Sequence, residues 1–414
     1  MRKVIVDKAE RLYRIPPAIS ADSFLLSRGQ RFRRREIIDL GDVRPELFAH
    51  PDFSGEAGAI LGSPALRRNA ALEELHNLYE KLSRFYKARY SIKLNPKTSF
   101  SLLSAGLPGE LMLCQGLINP KDEVVITDPS SPVFMQAAVL ASASVITIPA
   151  SERTDYLPMP ELPELEKHRK IKLKFVNYPH NPTGAAADKN YFNRLVKAAS
   201  EGDYLICHRM GFMGLNHDTT EHPSILESPG SRKTAVELTG FDLGFGLRNH
   251  YLQFAAGSPD AISVLAETDA LFGETMPYCL VRLMETALDY YDDALTKYTE
   301  IIGSNAELLS TGLRALGWKT FIFKGAPYIW AAHPRRTNSL NLAQAIFKRT
   351  GVLVQPGVRF GENGEGYLRF SLTAEKNELL EALERITRNF HPIQSGKKKI
   401  SDIIREYRNG FAKD

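Results

Sequence analysis

Between Pro96 and Ala256 the chain alternates short apolar runs with stretches of helical period, and this alternation restricts the fold more than any other feature. The runs are Ser101–Ala105, Glu123–Thr127, Ser144–Pro149, Leu173–Tyr178, Tyr204–His208, Thr234–Leu238 and Gln253–Ala256. Helices are expected to begin near Leu107, Pro132 and Lys189 between them. Strands this short and apolar, separated by helices, predict an α/β fold with a mostly parallel sheet covered on both faces.

Around that segment the pattern changes. Residues 1–50 read as an irregular arm with one short strand at Ile37–Leu40. Residues 68–90 place Leu72, Leu75, Leu78, Leu82 and Phe85 on one helical stripe. A long helical stretch over 260–306 bridges to a smaller α+β domain. Its strands are expected near Trp318–Phe323, Tyr328–Ala332, Val352–Gln355 and Gly366–Ser371, with a closing helix at Glu375–Ile386. The expected division is an arm and part of the small domain over 1–50, a large α/β domain over 51–290, the small domain over 291–391, and an extension over 392–414. That extension carries one more helical piece at Ile400–Tyr407.

Composition excludes several classes. There are 53 Lys and Arg against 48 Asp and Glu, a formal charge of only +5. The basic runs, Arg31/Arg33/Arg34/Arg35 and Lys397–Lys399, therefore read as solvated surface, and no nucleic-acid partner is expected. Cys114, Cys207 and Cys279 are far apart and form no metal-binding or redox pair, which suits a reducing compartment. No run approaches membrane-spanning length, and Met1–Lys8 lacks an apolar signal core. A cytoplasmic protein with neither metal nor membrane partner is expected.

Four stretches carry a family resemblance: Ile37–Gly41, Tyr178–Pro179–His180–Asn181–Pro182–Thr183–Gly184, Pro356–Gly357–Val358–Arg359–Phe360–Gly361 and Gly364–Leu372. Together with Lys324–Trp330, their order resembles the fold-type I pyridoxal-phosphate aminotransferases, in the branch containing LL-diaminopimelate aminotransferase. The resemblance runs from about Tyr13 to Ile386 and implies a twofold homodimer.

The resemblance also supplies a list of sites. Leu243, in Thr239–Gly240–Phe241–Asp242–Leu243–Gly244, stands at the family's Schiff-base lysine, and an isobutyl group offers no amine. Arg209 stands at the acid that pairs with the ring nitrogen, and Phe212 at a tyrosine. Ser131 takes the position of the stacking aromatic, with Phe134 nearby. Leu107, before Pro108, and Tyr251 take phosphate-binding positions. Asn181 matches the asparagine at the cofactor's phenolate oxygen, and Arg369 the arginine that clamps the substrate α-carboxylate. Asn181 also reads as a turn former, and Arg369 as one half of an interdomain ion pair.

Three functions stay open on these residues. The leading expectation is an aminotransferase-like protein that has lost transamination, binds no pyridoxal phosphate, and serves binding or assembly. An alternative is altered, cofactor-free chemistry on a carboxylate or phosphate substrate held by Arg369, Asn181 and Arg209. In that reading Asp242 with His208 or His250 supplies acid–base groups. The third is an active aminotransferase using Lys233, in Ser231–Arg232–Lys233–Thr234.

Overall fold

The computed structural model describes residues 9–11, 15, 37–44, 51–103, 106–161, 171–211, 222–241, 245, 252–272, 276–321, 325–335 and 338–390. Strand β1 (Ile38–Asp39) is followed by helices α1 (Pro51–Leu61) and α2 (Leu72–Tyr90). Helix α2 buries Leu78, Leu82, Tyr86 and Tyr90, one stripe at helical spacing. Leu72 departs from the expected stripe: it opens the helix and is 86% exposed. At that end Glu74 accepts the Ala71 N–H and pairs with Arg68, giving the first turn the acid its exposed amides favour.

Among the described residues the central sheet has seven strands: β2 (Phe100–Leu103), β3 (Glu123–Asp128), β4 (Ser144–Pro149), β5 (Ile171–Val176), β6 (Leu205–Arg209), β7 (Ala235–Gly240) and β8 (Gln253–Gly257). Their order is β2-β8-β7-β6-β5-β3-β4. Only β8 runs against its neighbours. The apolar runs and the mostly parallel sheet agree with the sequence reading, with ends shifted by up to a few residues.

Helices cover both faces, as continuous apolar strands require. On one face lie α3 (Gly109–Leu117), α4 (Pro132–Leu140) and α6 (Pro259–Phe272), packed around Leu113, Phe134, Phe175 and Leu265. Phe134 and Phe175 stack 4.7 Å apart. On the other face α2 and α5 (Lys189–Gly202) meet Tyr86, Phe192, Leu195 and Phe254. The expected helical stretch over 260–306 is in fact three helices: α6, α7 (Tyr278–Asp289) and α8 (Tyr291–Ala315). Among the described residues no helix is long and apolar enough to cross a membrane.

Beyond α8 come β9 (Lys319–Thr320), β10 (Tyr328–Ala332), α9 (Ser339–Thr350), β11 (Val352–Leu353), β12 (Gln355–Pro356), β13 (Tyr367–Ser371) and α10 (Lys376–Asn389). Strands β12-β13-β10-β9 form an antiparallel sheet, and β1 returns from the N-terminal side to pair with β11. This second unit has its own core, built on Leu309, Ile346, Leu368, Phe370 and Leu383. The expected Ile400–Tyr407 helix lies outside the described residues.

The two units meet where parallel strands β3 and β5 end. The Asp128 carboxylate accepts bonds from the Asn363 N–H (3.2 Å) and side-chain amide (3.0 Å), and Ser130 N–H donates to Phe360 O. Gly361, at φ +130°, lies so close to Asp128 that a Cβ would come within 1.9 Å of its Oδ1. The carboxyl ends of the strands therefore face the small unit across a crevice, the usual ligand position in an open α/β sheet.

Candidate active site

Strand alternation aims Arg369 at this crevice. Leu368 and Phe370 enter the small unit's core, so Tyr367, Arg369 and Ser371 take the opposite face of β13. Arg369 is 5% exposed. Its Nη1 donates to Asn181 Oδ1 (2.8 Å) and its Nη2 to Gly41 O (2.8 Å). The rings of Tyr328 and Phe360 lie 3.9 and 4.8 Å from its central carbon, so the cation has aromatic neighbours. Two of the three residues expected to hold an anionic substrate, Arg369 and Asn181, are thus brought into contact from positions 188 apart in the chain.

Asn181 is carried by a tight turn after β5. His180 N–H donates to Ala185 O and Gly184 N–H to His180 O, both at 2.7 Å, and Asn177 Nδ2 reaches Asn181 O. The turn-forming reading of Asn181 belongs to its backbone. Its side-chain oxygen belongs to Arg369.

Arg209 ends β6 and shares the face of Cys207, toward α3. Its Nη1 donates to Gln253 Oε1 (3.1 Å) and approaches Glu110 Oε1 (3.4 Å). Glu110 sits in the first turn of α3, 1% exposed, and its second oxygen has no partner among the described residues. A carboxylate suits a helix start, but this one is half satisfied. The guanidinium keeps a partly exposed edge, and its charge is countered by a residue 99 positions away.

His208 points the other way and is fully buried. Its Nδ1 lies 3.1 Å from Glu237 Oε1, and its Nε2 3.0 Å from Tyr178 O. Glu237 also accepts from Ser224 Oγ, Ile225 N–H and Tyr86 OH. This network ties β6 and β7 to Tyr178 after β5 and to α2, so the expected acid–base role for His208 is corrected: its ring faces core partners.

The other expected positions divide in two. Ser131 is half-buried at the start of α4, while Phe134 is core and stacks on Phe175, so it offers the cleft no ring. Leu107 is half-buried against the core of the α3 face, just before the Pro108 cap. Lys233 is exposed in the one-turn helix Ser231–Thr234 that precedes β7, at the opposite end of the parallel strands from Arg209. Phe212, Asp242, Leu243, His250 and Tyr251 lie outside the described residues.

The family described as aminotransferase class I and II matches residues 63–386. The chain belongs to that family. It is 28% identical over 389 residues to the LL-diaminopimelate aminotransferase of Natranaerobius thermophilus, covering 93% of this chain and 100% of that one. The enzyme of the same name from Halothermothrix orenii is also 28% identical, over 92% of this chain and 98% of its own. Among solved structures, substrate-bound BacF from Bacillus subtilis superposes with a TM-score of 0.85 at 26% identity, over 95% of this chain and 100% of that one.

These relatives correct the leading expectation. A chain without enzyme activity and without pyridoxal phosphate is overturned by likeness, over nearly the full length, to proteins named as aminotransferases. Transferase activity and the family's cofactor are therefore expected. In that expectation each mismatched position removes one anchor, and Asn181 and Arg369 survive; the structure adds that these two are in contact and that Gly41 O holds the same guanidinium.

The described residues fit the cofactor family unevenly. The carboxylate end of the crevice fits, because Arg369 and Asn181 stand together there. At the positions that the resemblance matches to the ring acid and the phosphate the charges do not suit those groups: Arg209 is a cation, and Glu110 is a carboxylate in the first turn of α3.

Proposed function

We propose that the chain is an amino-group-transferring enzyme whose substrate is an amino or 2-oxo carboxylic acid, with Arg369 taking the α-carboxylate. The observation that carries this reading is Arg369 itself, a nearly buried guanidinium bonded to the neutral oxygens of Asn181 and Gly41 between two aromatic rings. A carboxylate arriving there replaces neutral acceptors by a charged one and gains a two-point hydrogen bond. Asn181 and the Gly41 carbonyl orient the guanidinium, and Tyr328 and Phe360 keep water from its faces.

Pyridoxal phosphate, when bound, supplies the exchange of the amino group. Leu243 at the lysine position gives no amine for a covalent link, so we infer that the cofactor is held by noncovalent contacts alone. LL-diaminopimelate is the first amino donor to test, because relatives are named for it. The proposed assembly is a homodimer; sedimentation equilibrium at a single chain mass would exclude it.

The decisive experiment follows isotope. The full-length protein, saturated with pyridoxal phosphate, is given ¹⁵N-labelled LL-diaminopimelate or glutamate and an unlabelled 2-oxo acid. Label is expected in the newly formed amino acid, and Arg369→Gln should abolish it. Absence of transfer from both donors overturns the proposal. A peptide carrying a borohydride-fixed cofactor on any lysine overturns the noncovalent part.

A further inference from the structure

Val176, His208 and Glu237 lie in register on β5, β6 and β7 and share one face of the sheet. Phe192 of α5 packs 5.0 Å from the His208 ring, and Tyr86 of α2 bonds Glu237. A buried acid beside a buried histidine is costly unless its polar atoms are answered. Glu237 is answered on both oxygens: Oε1 by Ile225 N–H (3.0 Å) and His208 Nδ1 (3.1 Å), Oε2 by Ser224 Oγ (2.9 Å) and Tyr86 OH (3.2 Å). A carboxylate only accepts, so Nδ1 of His208 carries a proton.

The other ring nitrogen leaves the acid. Nε2 lies 3.3 Å from Tyr178 N and 3.0 Å from Tyr178 O. With the ring neutral it accepts the Tyr178 N–H; with the ring protonated it donates to the Tyr178 carbonyl. In either state it grips the residue that opens the Asn181 turn, beyond the last strand pair Val176–His208. Packing alone would be met by an apolar side chain without the desolvation cost. A ring with one nitrogen on an acid and the other on a loop also fixes direction.

We propose that His208, oriented by Glu237, is a positioning residue for substrate binding: it sets the turn that aims Asn181 at Arg369. This deepens the carboxylate reading of Arg369 and rests on it. The path runs from Glu237 through His208 to the Tyr178 backbone, then along the turn to Asn181 Oδ1, which takes Arg369 Nη1 at 2.8 Å. A turn that drifts carries this oxygen off the guanidinium, and the carboxylate then meets an arginine rotated away from its two-point geometry.

Two variants separate direction from packing. Glutamine in place of His208 puts its amide near the Nε2 position and keeps the Tyr178 contact; asparagine puts it near Nδ1, keeps Glu237 and loses Tyr178. 2-Oxoglutarate is titrated calorimetrically into the full-length protein saturated with pyridoxal phosphate. His208→Asn should bind it about tenfold more weakly than the parent, and His208→Gln within about twofold of the parent. In an Asn181→Ala background His208→Asn should add less than about twofold, because the two residues act in series. An affinity unchanged in His208→Asn, equal losses in the two variants, or a full further loss in the double variant overturns the proposal. If His208→Asn does not fold, the parent decides: bound 2-oxoglutarate should move the ¹⁵N signal of His208 Nε2, and an unmoved signal overturns the proposal. The carboxylate reading fails separately, if the parent does not bind 2-oxoglutarate or Arg369→Gln binds it as tightly.

Discussion

His180 makes the stability of the Asn181 turn depend on pH, and the size of the effect follows from its surroundings. The ring is 1% exposed. Its Nδ1 lies 2.7 Å from Thr183 Oγ1, and that hydroxyl oxygen accepts the Ala185 N–H. The hydroxyl proton is then free to point at Nδ1, which requires the neutral ring. Burial pushes the histidine down from 6.5 to about 3, with the Pro129 carbonyl acting weakly the other way.

The sign follows from proton counting. As pH falls below 6.5 the unfolded chain takes up a proton on this histidine, and the folded chain does not until about pH 3. Stability from the neutral ring is therefore complete above pH 6.5 and is lost steadily on acidification toward 3. At pH 5 the gap corresponds to roughly 1.5 pH units of unmatched protonation, or about 2 kcal/mol. Urea denaturation of the parent protein and of His180→Gln, each at pH 7 and pH 5, measures it. Glutamine keeps an acceptor for the Thr183 hydroxyl but cannot titrate. The variant should lose about 2 kcal/mol less than the parent between the two pH values. Equal losses in the two proteins would refute the reasoning, whatever their absolute stabilities.

Two further predictions concern the joint between the units and the start of α2. The Trp330 Nε1–H donates to Tyr156 OH at 3.1 Å inside the aromatic cluster that also stacks Trp330 on Tyr367. Tyr156→Phe strands that indole donor and should cost about 1–3 kcal/mol of stability in urea denaturation; a change under about 0.5 kcal/mol would show that the bond contributes little. Hydrogen bonds from Arg68 and the Ala71 amide lower the pKa of Glu74 from 4.5 to about 2. Its contribution is present above 4.5 and fades as pH falls toward 2, so Glu74→Gln should flatten the acid limb of the melting-temperature profile in that window. An unaltered limb removes the claim.

The sheet was legible in the sequence because strands buried on both faces are mostly apolar, and the runs marked them; the edge strand β4 is the exception, exposed or half-buried at all but one position. The ends were less legible. Arg209 belongs to β6 although a charged residue ordinarily signals a strand end, and its company of Gln253 and Glu110 is what lets it stay. The break of the 260–306 helical stretch into three was hidden by a nearly continuous apolar pattern, although Pro277 caps the second helix. Leu72 follows the stripe by period but falls at the helix's first position, where no element among the described residues buries it.

The same limit governs the site. Arg369 and Asn181 were found because each lies in a short motif whose order survives, and the fold then closes the distance. Arg209 was read alone, as a charge that would repel a protonated ring, because the chain gives no local hint of Glu110. A charge facing a cleft does not act with its formal value once a buried carboxylate stands 3.4 Å behind it. Arg209 is paired with the buried Glu110 carboxylate and the Gln253 amide, while Arg369 on the small-unit side meets the oxygens of Asn181 and Gly41. A mismatched residue taken without its spatial partner therefore overstates the loss at a site, whereas Arg369 and Asn181, each inside an intact motif, meet once the chain folds.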